Sequence, residues 1–147
     1  MSLPQLTRLL RWQNRWSGPA HTLLRAFHDP ATRETVVIVS ELADNPTDRG
    51  ITGDFPSVAD AALPVLRRHL SPDLGHVVWI AHFGDFSSYD PGGPETFTRM
   101  DVTEVGGVHQ ENLHGHEPVT AQEVTALLKG HPLAPVPEIL TRLGYQR

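Results

Sequence analysis

The 147-residue sequence contains no cysteine. That absence removes disulfides, thiolate zinc sites, iron–sulfur clusters and cysteine nucleophiles together, so the fold must rest on packing. Lysine is nearly absent too: Lys129 stands alone among twelve basic side chains, the other eleven being arginine. No Lys/Arg cluster is interleaved with aromatics, and neither finger spacing nor an RNA-motif signature is present, so there is no nucleic-acid signature. Long apolar runs are missing as well. The N-terminal MSLPQLTRLLRWQNRW has arginines but no stretch of secretory or membrane-spanning length, and a cytoplasmic protein with no membrane role is expected. The glycines of GITGD, Gly50 and Gly53, form neither a Walker loop nor a Gly-x-Gly-x-x-Gly fingerprint. Ser40 lacks the Gly-x-Ser-x-Gly elbow that would expose a nucleophile on a sharp turn. Asn45-Pro46-Thr47 has proline in the excluded middle position of a glycosylation acceptor.

What is present fits one self-sufficient domain spanning residues 1–147, since a chain of this length buries roughly 68–70% of its unfolded surface. No internal repeat, low-complexity tract or dividing linker interrupts it. Net charge is -5 but unevenly spread. Residues 1 to 28 carry Arg8, Arg11, Arg15 and Arg25 with no acid, whereas residues 85 to 123 carry eight acids against Arg99. This polarity offers a basic face to an anionic partner or an acidic face of its own, although solvated charge also serves solubility.

The segments LTRLLRWQ (5–12) and HTLLRAFH (21–28) read as strands separated by the turn chemistry of SGPA. In the second, His21, Leu23, Arg25 and Phe27 alternate with Thr22, Leu24, Ala26 and His28. Asp29 and Pro30 then start a turn that delivers the chain into TVVIVSEL (35–42), making an antiparallel hairpin. TVVIVSEL and HVVWIAHF (76–83) are apolar on both faces, as central strands covered on each side must be. Between them Val58, Ala61, Ala62, Val65 and Leu66 carry the three-and-four spacing of a helix, with Pro64 predicting a kink. Ser57 and Asp60 predict a capping box at its start. Strand, helix and strand form a right-handed crossover, so 35–42 and 76–83 are predicted to run parallel in one sheet.

Downstream, PETFTRMDVTEV reads as one further strand and GGVHQENLHGHEP as turn-rich. VTAQEVTALLKGHP is a short helix capped by Thr120, completed by Glu123 and stopped by Gly130 and Pro132; PEILTRLGY supplies a last turn or two of helix. The predicted fold is α+β: a mixed sheet of about five strands, with N-terminal antiparallel hairpins plus one βαβ crossover, and two or three helices mainly on one face.

Ligand crevices in open parallel sheets form outside the C-terminal ends of the strands. The first parallel strand ends at Glu41 and releases a loop with Asp44, Asn45, Thr47, Asp48, Arg49, Thr52 and Asp54; the second ends at His82 and releases Asp85. Glu41, Asp44, His82 and Asp85 are the candidate catalytic set, because a carboxylate beside an imidazole tunes its protonation and can act as general base and orienter. Asn45, Arg49 and Thr52 are the candidate ligand-binding residues, Arg49 for an anionic group. The bland reading is a turn: Asp and Asn before proline bond their own backbone. His109, His114 and His116, with Glu111 or Glu117, form a second polar cluster, but they match no metal signature and no metal site is assigned. Trp12, Trp16 and Trp79 are read as core, Trp16 beside Arg15 being the one suited to a partner surface.

The order strand, Ser40-Glu41-Leu42-x-Asp44-Asn45-Pro46, helix, Trp79-Ile80-x-His82-Phe83 resembles small uncharacterised proteins of actinobacteria over residues 35 to 129. This chain differs from that pattern at Ala81, where the pattern has an acid, and at the helix entry Gly53-Asp54-Phe55-Pro56-Ser57. The resemblance implies that Glu41, Asp44, Asn45 and His82 act as a unit, and it implies no activity or cofactor. Two functions are therefore carried forward. The first is a non-enzymatic binding or regulatory protein acting through a macromolecular partner, favoured because each catalytic signature tested is missing. The second is a small-molecule or metal-dependent hydrolase built on the carboxylate/histidine set at the C-terminal ends of the two parallel strands. Cofactor, partner identity and oligomeric state have no mark in the sequence.

Overall fold

Arginine-bearing alternation in the first thirty residues builds two long strands, β1 (Gln5–Asn14) and β2 (Gly18–Asp29), in a computed structural model that describes residues 5–14, 18–42, 51, 54–84, 95–105, 108–111 and 117–145. The even-numbered residues Leu6, Leu10 and Trp12 of β1 are buried, while Gln5, Thr7 and Arg11 are exposed, as the two-residue period of a half-covered strand requires. After β2, the Asp29 carboxylate accepts the Ala31 amide at 2.9 Å and closes the predicted turn into β3 (Glu34–Glu41). The hairpin is thus set by aspartate chemistry at its turn and by branched apolar residues in its second strand.

α1 (Phe55–His69) follows, and β4 (His76–Phe83) covers the predicted 76–83. β3 and β4 pair in parallel, with Val37 beside Trp79 and Ser40 beside His82, so the parallel pairing read from the sequence is the one the chain makes. The helix starts two residues before the predicted capping box. Asp54 is its N-cap residue, Pro56 occupies its first turn where a missing N–H is harmless, and Ser57 donates its hydroxyl to Asp54 at 2.8 Å instead of capping. Pro64 lies inside the helix, as expected.

The stretch read as one strand divides at Asp101 into β5 (Thr96–Met100) and β6 (Val102–Val105). β6 pairs with β7 (Val108–Glu111) in a separate ribbon, and β8 (Glu117–Val119) returns to pair with β5. The main sheet therefore has six strands in the order β1-β2-β3-β4-β5-β8, one more than predicted. α2 (Ala121–Leu127) begins as the sequence indicates, with the Thr120 hydroxyl accepting the Glu123 amide at 3.1 Å. α3 (Val136–Arg142) closes the described chain.

Alternation along the central strands sends each face of the sheet to a different cover. Val37, Val39, Trp79 and Ala81 pack with Phe55, Val58, Ala62 and Leu66 of α1. Ile38, Val78, Ile80 and Phe97 pack on the other side with Val124 of α2 and Leu128 just after it. α3 joins that second side through Val136, Ile139 and Leu140 against Leu23 and Leu42. The fold is α+β, with a mixed sheet covered by one helix on one face and two on the other. Among the described residues, no helix is long and apolar enough to cross a membrane.

Candidate functional site

The period of two that buries Ile38 and Ile80 on the α2/α3 side also places Ser40, two residues on, and its register partner His82 on that side. Glu41 takes the opposite face. Its carboxylate accepts the backbone N–H of Ile51, a residue packed in the α1 cluster, and burial pushes its pKa up against that bond. Glu41 and His82 therefore share the rim of the parallel pair, as the sequence suggests, but the sheet separates their side chains. Of the remaining residues singled out from sequence, Asp44, Asn45, Arg49, Thr52 and Asp85 lie outside the described residues, as do Trp16, His114 and His116.

Around His82 the structure gathers four side chains that sequence reasoning did not join to it. Ser40 Oγ lies 2.8 Å from His82 Nδ1. Arg25 Nη2, delivered by β2, donates to Ser40 Oγ at 3.1 Å and stands 3.4 Å from His82 Nδ1. On the other side of the ring, His82 Nε2 is 3.0 Å from Glu95 Oε1, just before β5. Phe97, the register partner of His82, stacks on the imidazole with centroids 4.4 Å apart and planes within 6°.

These contacts define one proton arrangement. Glu95 accepts, so Nε2 carries the hydrogen; Nδ1 then accepts the Ser40 hydroxyl hydrogen, and Ser40 Oγ accepts from Arg25. The neutral imidazole this requires is also the one the surroundings favour. Burial and then the Arg25 cation pull the His82 pKa down to about 4, with Glu95 opposing. His82 is 2% exposed and Ser40 is fully buried.

The composition is that of a serine, histidine and carboxylate relay, but its serine is enclosed. Ser40 lies within a paired strand, capped by the Arg25 guanidinium, and presents no surface on which an acyl group can form. What the relay does is hold Arg25. That guanidinium also donates through Nη1 to the Ala134 carbonyl at 2.9 Å. It is 2% exposed and its Nε–H is buried without a partner.

Among the described residues Arg25 has no direct ion pair; the carboxylate that acts on it, Glu95, bonds to His82 on the far side of the ring. Burial lowers its pKa to about 10, with Glu95 raising it, so it remains a cation at neutral pH. Keeping it charged there costs about 3 kcal/mol of stability. Strongly perturbed groups beside a cleft are candidates for a functional site, although structural networks perturb them too.

Arg25 also lines a cleft of about 480 Å³ between β1, β2 and the segment that runs from His131 into α3. Among the described residues no group of three or more His, Asp or Glu side chains gathers to hold a metal ion. Comparisons with protein-family models, with curated proteins and with solved structures gave no match.

The signal for Arg25 was in the sequence. It alternates in phase with Leu23 and Phe27, so whatever buries those two buries it. Ser40, the hydroxyl that follows the apolar run Val36–Val39, carries the same kind of mark. Glu95 carries none, because its approach depends on how the chain returns to the sheet after β4.

Proposed function

We propose that this chain is a non-enzymatic binding protein, and that its partner is another protein received as an extended acidic segment along the outer edge of β1. The observation that carries this reading is β1 itself. Its ten residues pair with β2 on one side, and among the described residues no strand pairs with the other. Such an edge offers a row of backbone donors and acceptors that an added strand completes.

Arg8 and Arg11 stand exposed on opposite faces of that edge, in a region of sequence without an acid. An added strand bearing Asp or Glu gains cross-strand charge pairs from both. A second copy of this chain is the poorer occupant, since antiparallel self-pairing centred between Leu9 and Leu10 sets Arg8 opposite Arg11. The separation of Glu41 from His82 by the sheet supports binding over the hydrolase alternative, which needs them on one surface.

The test compares the tagged chain with its Arg8→Glu/Arg11→Glu variant as baits in extracts of the source organism. A captured protein is then added to the pure chain and amide exchange is followed along β1. Binding that slows β1 exchange tenfold or more, and that the variant loses, is the expected result. Binding that leaves β1 exchange unchanged, or turnover by the pure chain in a hydrolase substrate panel, overturns the reading.

A further inference from the structure

We propose that the Arg25 cleft is a binding site for a small organic anion, a carboxylate or phosphate carried on an apolar body. This goes beyond the edge-strand reading and does not depend on it. Among the described residues the cleft's charge has one sign: the lining includes Arg25 and Arg142, with His131 beside them, and no Asp or Glu. Its volume of about 480 Å³ falls in the range of small-molecule sites, roughly 300–1,000 Å³.

Three features select the ligand. Arg25 is a buried cation at the wall of the cleft, where its field reaches an anion with less screening than at an exposed site. Its orientation is fixed in advance, because Ser40 and the Ala134 carbonyl each hold one of its terminal nitrogens and His82, braced by Glu95, holds Ser40. Arg142, in the last turn of α3, is exposed at the same cleft and supplies a second cation for the same group.

The apolar part of the site is equally plain. Phe27 forms one wall, with the His131 ring set edge-on to it at 5.3 Å. Leu133 and Leu143 line the cleft too, and Leu143 is 44% exposed, one of two large apolar side chains left so open among the described residues. An anion with an aromatic or branched body covers Leu143 and neutralises Arg25 in a single binding event. A bare inorganic ion does only the second.

The probes are benzoate and phenyl phosphate, with benzamide as the uncharged control. At a hundredfold excess over its Kd, a binding probe raises the melting temperature by about 5 °C or more, and the larger rise of the two identifies the anionic group preferred. Amide shifts are expected at Thr7, Phe27 and Leu133. Arg142→Gln is expected to weaken binding about tenfold, and Arg25→Met to abolish it. No response to either anion up to about 10 mM, an equal response to benzamide, shifts that map elsewhere, or an undiminished response in Arg25→Met each overturns the proposal. Should Arg25→Met fail to fold, the shift map on the unaltered chain and the Arg142→Gln affinity decide it.

Discussion

Ser40 and His82 are register partners on parallel strands, and their side chains meet at 2.8 Å in a place that solvent does not reach. The Ser40 hydroxyl, set between His82 Nδ1 and Arg25 Nη2, brackets the guanidinium. Ser40→Ala leaves Arg25 Nη2 and His82 Nδ1 each short of a buried partner and should cost about 1–3 kcal/mol in urea unfolding. The native chain should resist a fluorophosphonate probe, and covalent labelling at Ser40 would contradict the burial.

The pH dependence of stability follows from His82. Its pKa is about 4 in the folded chain against 6.5 for the free group, so between those values the unfolded chain binds a proton that the folded chain refuses. Stability from this group is full above pH 6.5 and falls as pH drops towards 4, by about 3 kcal/mol. His82→Gln should flatten that limb in urea titrations at pH 7 and pH 4.5. An unchanged slope would assign the acid sensitivity to other groups.

Glu41 acts with the opposite sign. Its folded pKa is raised by burial, so its share of stability is complete at low pH and is lost as pH rises through the folded value. Glu41→Gln keeps an oxygen for the Ile51 amide and removes the charge. The variant should equal or exceed the parent in melting temperature at pH 8 and lose that advantage at pH 4.

Gly75 sits at the entry to β4 with φ +65°, where a Cβ would come within 2.0 Å of the Arg33 carbonyl oxygen. That same oxygen accepts the His76 amide at 2.9 Å and starts the β3–β4 pairing. Gly75→Ala should therefore destabilise by about 2–4 kcal/mol, read as a lowered urea midpoint with an unchanged slope.

The crossover was legible because its strands are apolar on both faces and the segment between them repeats at helical spacing. Those local patterns fix element type, and right-handed connection fixes the parallel pairing. The break at Asp101 was not legible, since β5 and β6 have the same strand composition and differ only in the partner each finds. For the site, position along the rim was readable while sidedness was overlooked. Adjacent residues of a strand point to opposite faces, so Ser40, and not Glu41, must join His82 once the register is known. Arg25 shows the same rule from the other direction, a cation carried inward by its phase with Leu23 and Phe27.

The strand order also sets a timetable for synthesis. β1, β2 and β3 are joined by short turns and can zip together as soon as they leave the ribosome, whereas β4 must wait for the whole connection through α1. During that wait the outer edge of β3, and Arg25 with Ser40 behind it, stand without His82. A nascent chain stalled before residue 76 would therefore carry an unbraced cation and an open apolar strand, the state in which a folding chaperone has most to protect.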